Sequence, residues 1–265
     1  MTVSVVLPVF NAENSVEESL RSIMLQTYSD LDILVIDDGS TDASLSIIQR
    51  LAKEDSRIRL VSRANRGLID TLNEAIDMAQ GHWLARMDAD DIALPCRIES
   101  QLRTARKQKL DLVGAGHQCF GASEKVFEPA TKHADICGKL YVWTNSFSHP
   151  TVLVKTSILK RNPYPIAAHG AEDMALWMKL SELSSEYGWK FGNHPKPLLK
   201  YRVHADQISQ RISDVQRSTV KQLVSDAIFN LDCGFTSDDL ELHYKAWQGS
   251  DAPWSPDEVL QDEAF

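Results

Sequence analysis

Short apolar runs alternate with helical patterns over the first 116 residues of the chain. Between the runs, apolar residues recur three or four positions apart, which is the spacing of one buried helix face. Five strands are predicted in this way, at residues 4–9, 31–36, 57–62, 82–87 and 110–115. Because strands that alternate with helices form βαβ units, the pattern predicts an α/β fold with a mostly parallel sheet.

The pattern is less regular after residue 117. The run SHPTVLV at 148–154 predicts a strand, residues 172–183 predict a helix, and PLLKYRV at 197–203 predicts another strand. Apolar positions between 215 and 228 return to helical spacing, so the end of the chain is expected to be helical.

Composition places the chain among ordinary folded proteins. Of its 265 residues, 43% are hydrophobic and 25% are charged, which is enough to build a core without disulfides or a structural metal. The formal charge is −9, and no Lys/Arg-rich stripe is present. This balance argues against nucleic acid as a partner and against purely electrostatic docking on anionic lipid.

Two further features bear on the compartment. The four cysteines are scattered, without a C-x-x-C pair, so we expect free thiols in a reducing cytosol. The apolar start MTVSVVLPVF has no basic leader, and Pro8 and Asn11 interrupt it, so we interpret it as a strand and not as a signal peptide. No later segment is long enough to span a bilayer, and a cytoplasmic location is expected.

Acidic residues follow two of the predicted strands, Asp37 and Asp38 after the second and DADD (88–91) after the fourth. Ligands of open parallel sheets bind at the carboxyl ends of strands, and carboxylates suit Mg²⁺ or Mn²⁺. In an extended segment Asp88 and Asp90 would project to one side and Asp91 to the other. A solvated turn and an aspartyl-phosphatase loop remain as alternatives, whereas an EF-hand fails for lack of its glycine and distal Glu.

Five blocks in order resemble the family 2 glycosyltransferases of the GT-A fold, over roughly residues 3–209. They are VSVVLPVFNAENSVEESLRSIMLQTYSDLDILVIDDGSTD, NRGLIDTLNEAIDMAQGHWLARMDADDIALPCRIESQ, HPTVLV, AEDMALWMKLS and YRVHADQIS. The resemblance implies a Rossmann-like, mostly parallel central sheet flanked by helices, with a helical C-terminal extension.

The resemblance also implies a donor site. Pro8, Phe10 and Asp38 match positions that hold the uracil of a UDP-sugar, since an aromatic face stacks on the ring and a carboxylate accepts its imide N–H. Asp88 and Asp90 match the motif that meets the ribose and the metal-bridged diphosphate, with Ala89 between them. Core packing is the alternative for Phe10. Three arginines are candidates for phosphate contacts, with simple solvation as the alternative: Arg63, Arg66 and Arg202.

Asp173 in AEDMALW matches the catalytic base of the family. Inverting transfer needs a carboxylate that takes the proton of the acceptor hydroxyl, and a helix amino terminus would help keep Asp173 ionised. Helix capping is the alternative. His204 matches a position near the metal, so the implied set for Mn²⁺ or Mg²⁺ is Asp88, Asp90 and His204, with a structural role as the alternative for His204 and for His149.

The implied activity is metal-dependent, inverting transfer of a sugar from a UDP-sugar to a hydroxyl of a glycan or lipid-linked oligosaccharide, in bacterial surface polysaccharide assembly. Residues 1–116 would form the nucleotide-sugar half, 117–209 the acceptor-binding and catalytic half, and 210–265 a helical extension over the acceptor side. Peripheral membrane contact and the oligomeric state stay open. The alternative is a noncatalytic nucleotide-sugar or glycan-binding module. The presence of Asp38, Asp88, Asp90 and Asp173 together argues against it, because a pure binding module would not need the implied base.

Overall fold

The computed structural model describes residues 1–142, 144–204, 213–231 and 236–249. Within them, nine strands form one sheet in the order β3-β2-β1-β4-β8-β6-β9-β5, and β7 pairs with β6. The strands are β1 (Val3–Val9), β2 (Leu31–Asp37), β3 (Ile58–Ser62), β4 (Trp83–Arg86), β5 (Ile92–Ala93), β6 (Leu112–Gly121), β7 (Val126–Phe127), β8 (Leu153–Lys155) and β9 (Phe191–Val203).

The helices connect these strands and cover both faces of the sheet. They are α1 (Val16–Met24), α2 (Ser44–Glu54), α3 (Leu68–Met78), α4 (Arg97–Gln108), α5 (His133–Leu140), α6 (Thr156–Arg161), α7 (Glu172–Tyr187), α8 (Ser213–Asn230) and α9 (Ser237–Gly249). A 3₁₀ turn at His149–Thr151 precedes β8.

The expected fold class is confirmed. The long ladders are parallel: β1 with β2 and β4, β2 with β3, and β6 with β9. Antiparallel pairing is limited to the short contacts of β5, β7 and β8. The C-terminal part of the chain is helical in α8 and α9, as the apolar spacing predicts.

One predicted strand is partly wrong. The segment 148–154 begins as the 3₁₀ turn, and only its last residues enter β8. Pro150 has no N–H to give to a ladder. The Thr151 hydroxyl oxygen lies 3.0 Å from the Ala115 carbonyl and 2.8 Å from the Ser148 carbonyl, either of which can accept its single proton. These bonds fix a turn where the apolar run alone suggested continuous strand.

Alternation along the first two strands divides the core between the two faces of the sheet. Val5 and Leu7 of β1 belong to one buried cluster, whereas Val6 between them belongs to the other. Residues of α1, α2 and α4 fill the first cluster, and residues of α3, α5, α6, α7, α8 and α9 fill the second. The sheet is therefore covered on both sides, as its apolar parallel strands require.

Within the described part of the chain, no helix combines the length and the apolar character needed to cross a bilayer. Cys96 and Cys137 carry free thiols, and Cys233 lies outside the described residues.

Candidate active site

An acidic cluster lies directly after β4, at the carboxyl edge of the parallel strands. One carboxylate oxygen from each of Asp88, Asp90 and Asp91 lies within 4.8 Å of the other two. The expectation that Asp91 would point away is wrong, because residues 89–90 form a turn and the alternation of an extended strand does not apply there. Asp91 is in fact the most buried of the three, at 1% exposure.

Side chains from α1 and β9 hold the backbone of this turn. The Ser19 hydroxyl donates to the Asp88 carbonyl at 2.7 Å, and Arg202 Nε donates to the Asp90 carbonyl at 2.8 Å. The backbone N–H of Arg202 donates to Asp91 Oδ1 at 2.9 Å. The fold therefore fixes the backbone of the turn and one carboxylate oxygen of Asp91.

Two buried arginines offset the negative charge of the cluster. Arg86 forms an ion pair with Asp88 through Nη1, and Arg97, which has no exposed surface, donates from Nη2 to the Arg86 carbonyl at 2.6 Å. Burial raises the pKa of Asp88 to about 6, against the opposing effect of Arg86, and lowers the pKa of Arg97 to about 9. Neither arginine was predicted as part of the site.

His204 lies beside the cluster. Its Nε2 is 3.1 Å from Asp90 Oδ2. His204 is the residue after β9, so the end of this strand brings both His204 and Arg202 to the turn. The last residues of the YRVHADQIS block, Ala205–Ser209, lie outside the described residues.

The predicted uracil-binding residues lie where β1 and β2 end. Phe10 follows β1 and is 52% exposed, which is contrary to the alternative of core packing. Pro8 pairs with Ile36 in the ladder between the two strands, and the Asp38 N–H donates to the Val9 carbonyl at 2.8 Å. The exposed ring and the Asp38 carboxylate thus belong to neighbouring strand ends.

The Asp38 carboxylate organises the loop before α3. It forms an ion pair with Arg63, and it accepts the backbone N–H groups of Arg66 at 2.8 Å and Gly67 at 2.9 Å. An ionised carboxylate has about four acceptor positions, and these three bonds from described residues occupy three of them.

The three candidate phosphate-binding arginines differ in their surroundings. Arg63 is largely buried and also pairs with Glu74, and Arg202 is engaged with the acidic turn. Arg66 is 58% exposed and lies 3.8 Å from Glu74. Of the three, Arg66 is the one whose side chain extends into solvent.

Asp173 lies in the first turn of α7. Its Oδ2 accepts the Asn145 amide at 2.7 Å, and its Oδ1 accepts the Met174 N–H at 2.7 Å. Burial nevertheless raises the pKa of Asp173, because desolvation outweighs these two bonds and the attraction of Arg86. The expected effect of the helix amino terminus is therefore present but is not dominant.

Buried polar residues surround this carboxylate. Glu172 is 9% exposed, and burial raises its pKa to about 7. The Tyr164 hydroxyl lies 2.7 Å from His149 Nε2, and burial holds the pKa of His149 well below its usual value. His149 is thus a neutral, hydrogen-bonded histidine, which fits the structural alternative for this residue.

The charge of Arg86 acts on both the acidic cluster and Asp173. Its positive charge lowers the pKa of Asp88 on one side and those of Glu172 and Asp173 on the other, in each case against a larger effect of burial. Arg86 therefore interacts electrostatically with both acidic groups.

Comparison with known proteins identifies the family. The sequence model described as "Glycosyl transferase family 2" matches residues 4–175. The chain therefore belongs to glycosyltransferase family 2, and glycosyl transfer is its class of activity.

Relatives agree with this assignment. An uncharacterized glycosyltransferase of Haemophilus influenzae is 33% identical over 241 residues, covering 83% of this chain and 71% of the relative. The O-antigen biosynthesis glycosyltransferase WbnJ of Escherichia coli is 27% identical over 204 residues, covering 76% of this chain and 80% of the relative.

Solved structures share the fold. TarS of S. aureus, in complex with UDP-GlcNAc, superposes with a TM-score of 0.68 at 18% identity, covering 94% of this chain and 72% of TarS. The mannosyltransferase PcManGT of Pyrobaculum calidifontis, in complex with GDP-Man and Mn²⁺, gives a TM-score of 0.63 at 22% identity, covering 97% of this chain and 72% of PcManGT. The chain has the GT-A architecture of these enzymes.

Proposed function

We propose that the protein is a metal-dependent, inverting glycosyltransferase that moves a sugar from a UDP-sugar to a hydroxyl of a glycan or lipid-linked oligosaccharide. The observation that carries the proposal is an acidic cluster and a separate buried carboxyl group at Asp173, both of which interact electrostatically with Arg86. The cluster suits a cation that faces a diphosphate, and Asp173 suits a proton acceptor.

The residues present fit a divalent cation. Asp91 Oδ2 is buried and has no hydrogen-bond partner among the described residues, so the cluster has an unused oxygen ligand. Asp88, Asp90 and His204 would hold Mn²⁺ or Mg²⁺, since carboxylate oxygens with one imidazole suit such ions. When bound, the cation would neutralise charge on the departing nucleoside diphosphate.

The donor proposal rests on the ends of β1 and β2. Phe10 offers an exposed ring for stacking on a base, and the Asp38 carboxylate at the neighbouring strand end is proposed to accept the imide N–H of uracil. TarS binds UDP-GlcNAc and PcManGT binds GDP-Man, so relatives by fold differ in their base. Ala89 and Arg66 complete the proposed contacts with ribose and phosphate.

The acceptor side is proposed to include Asp173 as the general base. Its buried position and its raised pKa favour proton acceptance from a hydroxyl as the oxygen attacks the anomeric carbon. A single displacement inverts the configuration at that carbon. WbnJ acts in O-antigen biosynthesis, which supports an acceptor from a surface polysaccharide pathway.

Calorimetric titration with UDP tests the donor site. UDP should bind weakly in chelator and more tightly in Mn²⁺, because a diphosphate beside Asp88 and Asp90 is repelled unless a cation lies between them. Asp90→Ala should abolish the gain, and GDP should bind less tightly than UDP. Equal UDP affinity in chelator and in Mn²⁺ would contradict the metal proposal.

The alternative is a noncatalytic nucleotide-sugar-binding module. It would show the same metal-dependent UDP binding, but it would release no UDP from a panel of UDP-sugars with acceptors present. Turnover of any donor in that panel excludes the alternative.

A further inference from the structure

We propose that Arg202 is a positioning residue that holds the acidic turn in the shape required for a divalent cation, and that it does not act as a phosphate contact. The proposal rests on the proposed cation site. Arg202 lies near the end of β9, more than one hundred residues along the chain from the turn that it contacts.

Arg202 contacts the turn through both backbone and side chain. Its N–H donates to Asp91 Oδ1 at 2.9 Å, and its Nε donates to the Asp90 carbonyl at 2.8 Å. These bonds fix the two consecutive residues whose carboxylates complete the cluster. The first bond also orients Asp91, whose other oxygen is the buried Oδ2 without a partner among the described residues.

Two further contacts fix the guanidinium itself. Its Nη2 forms an ion pair with Glu18 of α1 at 2.6 Å, and its central carbon lies 4.4 Å from the centre of the Phe120 ring. The group is thus held between α1, β6 and the turn. A planar guanidinium with directed N–H groups can satisfy this set of partners, whereas a lysine ammonium lacks the same planar geometry.

The choice of partners on the turn favours a cation over an anion as the ligand. Arg202 Nε donates to the carbonyl of Asp90, while the Asp90 carboxylate lies 3.1 Å from His204 Nε2. The side chain of Arg202 therefore braces the backbone of the turn through a neutral oxygen. The carboxylate of Asp90 lies instead against His204, which is proposed to bind the same cation.

Removing such an outer partner typically weakens metal binding by about 10- to 100-fold. We therefore expect Arg202→Gln to reduce Mn²⁺ affinity in that range when Mn²⁺ alone is titrated and the free ion is followed by electron paramagnetic resonance. Arg202→Gln keeps the backbone bond to Asp91 and removes the side-chain bond to the Asp90 carbonyl. Glu18→Gln should produce a smaller loss, because it leaves that side-chain bond in place as well. Arg202→Lys should recover little of the Mn²⁺ affinity, since an ammonium group restores the charge but not the planar guanidinium with its directed N–H groups.

Arg59→Gln is a matched control. Arg59 also donates to one carboxylate and one carbonyl, Asp32 at 2.6 Å and Met78 at 3.0 Å, but it lies at the other edge of the sheet. Its substitution should lower the melting temperature about as much as Arg202→Gln does and leave Mn²⁺ affinity unchanged. This comparison separates positioning of the turn from a general loss of stability.

The outcomes distinguish the alternatives. Unchanged Mn²⁺ affinity in Arg202→Gln, with weaker UDP binding in Mn²⁺, would overturn the proposal and assign Arg202 to phosphate. If Arg202→Gln does not fold, Glu18→Gln provides the test, and an unchanged affinity there would overturn the proposal. If the wild-type protein binds no Mn²⁺, the proposed cation site itself fails, and the positioning role fails with it.

Discussion

At the scale of single residues, Asp173 separates an enzyme from a binding module. Asn at this position keeps the size of the side chain but cannot accept a proton, so the loss should fall on the chemical step. Positioned proton transfer contributes about 10²- to 10⁴-fold in rate. We therefore expect Asp173→Asn to lower kcat by a factor in that range. UDP affinity and melting temperature should change little, because the nucleotide is expected at the other end of the site.

Steady-state kinetics with the best donor, together with NMR of the first-formed glycoside, measures this prediction. The product should have the anomeric configuration opposite to that of the donor. Turnover of Asp173→Asn close to that of wild type would remove Asp173 from the role of base, and a retained configuration would exclude a single displacement.

Asn145 gives a second prediction at this scale, on pH dependence. Its amide donates to Asp173 Oδ2, and a hydrogen bond to the charged form lowers the pKa of a carboxyl group. Asn145→Ala should therefore raise the pKa of Asp173 further. A base of higher pKa is protonated up to a higher pH, so the acid limb of kcat/KM should move upward.

The pH profiles of kcat/KM for Asn145→Ala and for the control Thr144→Ala test the direction of this shift. Thr144 is the preceding residue, and its hydroxyl donates to the Val142 carbonyl and not to Asp173. We expect Asn145→Ala to lose activity several-fold on the acid side and little at high pH, with Thr144→Ala like wild type. A downward shift of the acid limb would show that the amide does not stabilise the ionised base.

Sequence alone could indicate only part of the site. The motif residues Asp88 and Asp90 come just after a predicted strand, as His204 does, and Asp173 lies at the start of a predicted helix. Arg97 could not be found in this way, because an arginine in a helical sequence is expected at the surface and its burial depends on the packing of α4. Asn145 lies in an irregular segment whose contact with α7 spans 28 residues of sequence.

At the scale of elements, the turn after β2 depends on a glycine. Gly39 has a φ of 76°, and a Cβ there would lie 2.7 Å from the Asn65 backbone nitrogen. Gly39→Ala combines a left-handed conformation with a clash against backbone, so we expect a loss of about 1 to 3 kcal/mol. UDP affinity should fall too, because the loop holding Asp38 must move.

Gly138→Ala is the matched control for this prediction. Gly138 lies in α5, its φ is not positive, and a Cβ there would meet no atom within 4 Å. Alanine should therefore stabilise the protein by about 0.5 to 1 kcal/mol, since it is the better helix former. Urea unfolding gives both values, and equal effects of the two substitutions would contradict the argument from φ.

The elements differ in how well the sequence predicts them. The strands and helices of the first 116 residues have clear apolar periodicity, and their order is confirmed. The strands β5 and β7 have two residues each, and they exist because β9 and β6 offer them partners. A pattern within so short a segment has no period to detect.

At the scale of the whole molecule, the C-terminal helices share the core of the sheet. Val220 and Val224 of α8 and Leu240 and Tyr244 of α9 belong to the same buried cluster as Trp177 of α7. The side chain of Trp247 and residues 250–265, with Trp254 and Phe265, lie outside what the structure describes. An acceptor role for residues 210–265 stays a prediction, but α8 packs as part of the domain.

This packing predicts that α8 and the sheet unfold together. Val224 has no exposed surface, so Val224→Ala should leave a cavity and lower the free energy of unfolding by about 1 to 3 kcal/mol. Val215 on the same helix is 52% exposed, so Val215→Ala should change this free energy little. Urea unfolding followed by tryptophan fluorescence and by far-UV circular dichroism should give one coincident transition in each protein, displaced to lower urea in Val224→Ala. A separate early transition in the helical signal alone, with the main transition unmoved, would show that α8 is an independently unfolding lobe. In that case its removal should leave the donor site intact, whereas a shared transition means that truncation before α8 destabilises the whole enzyme.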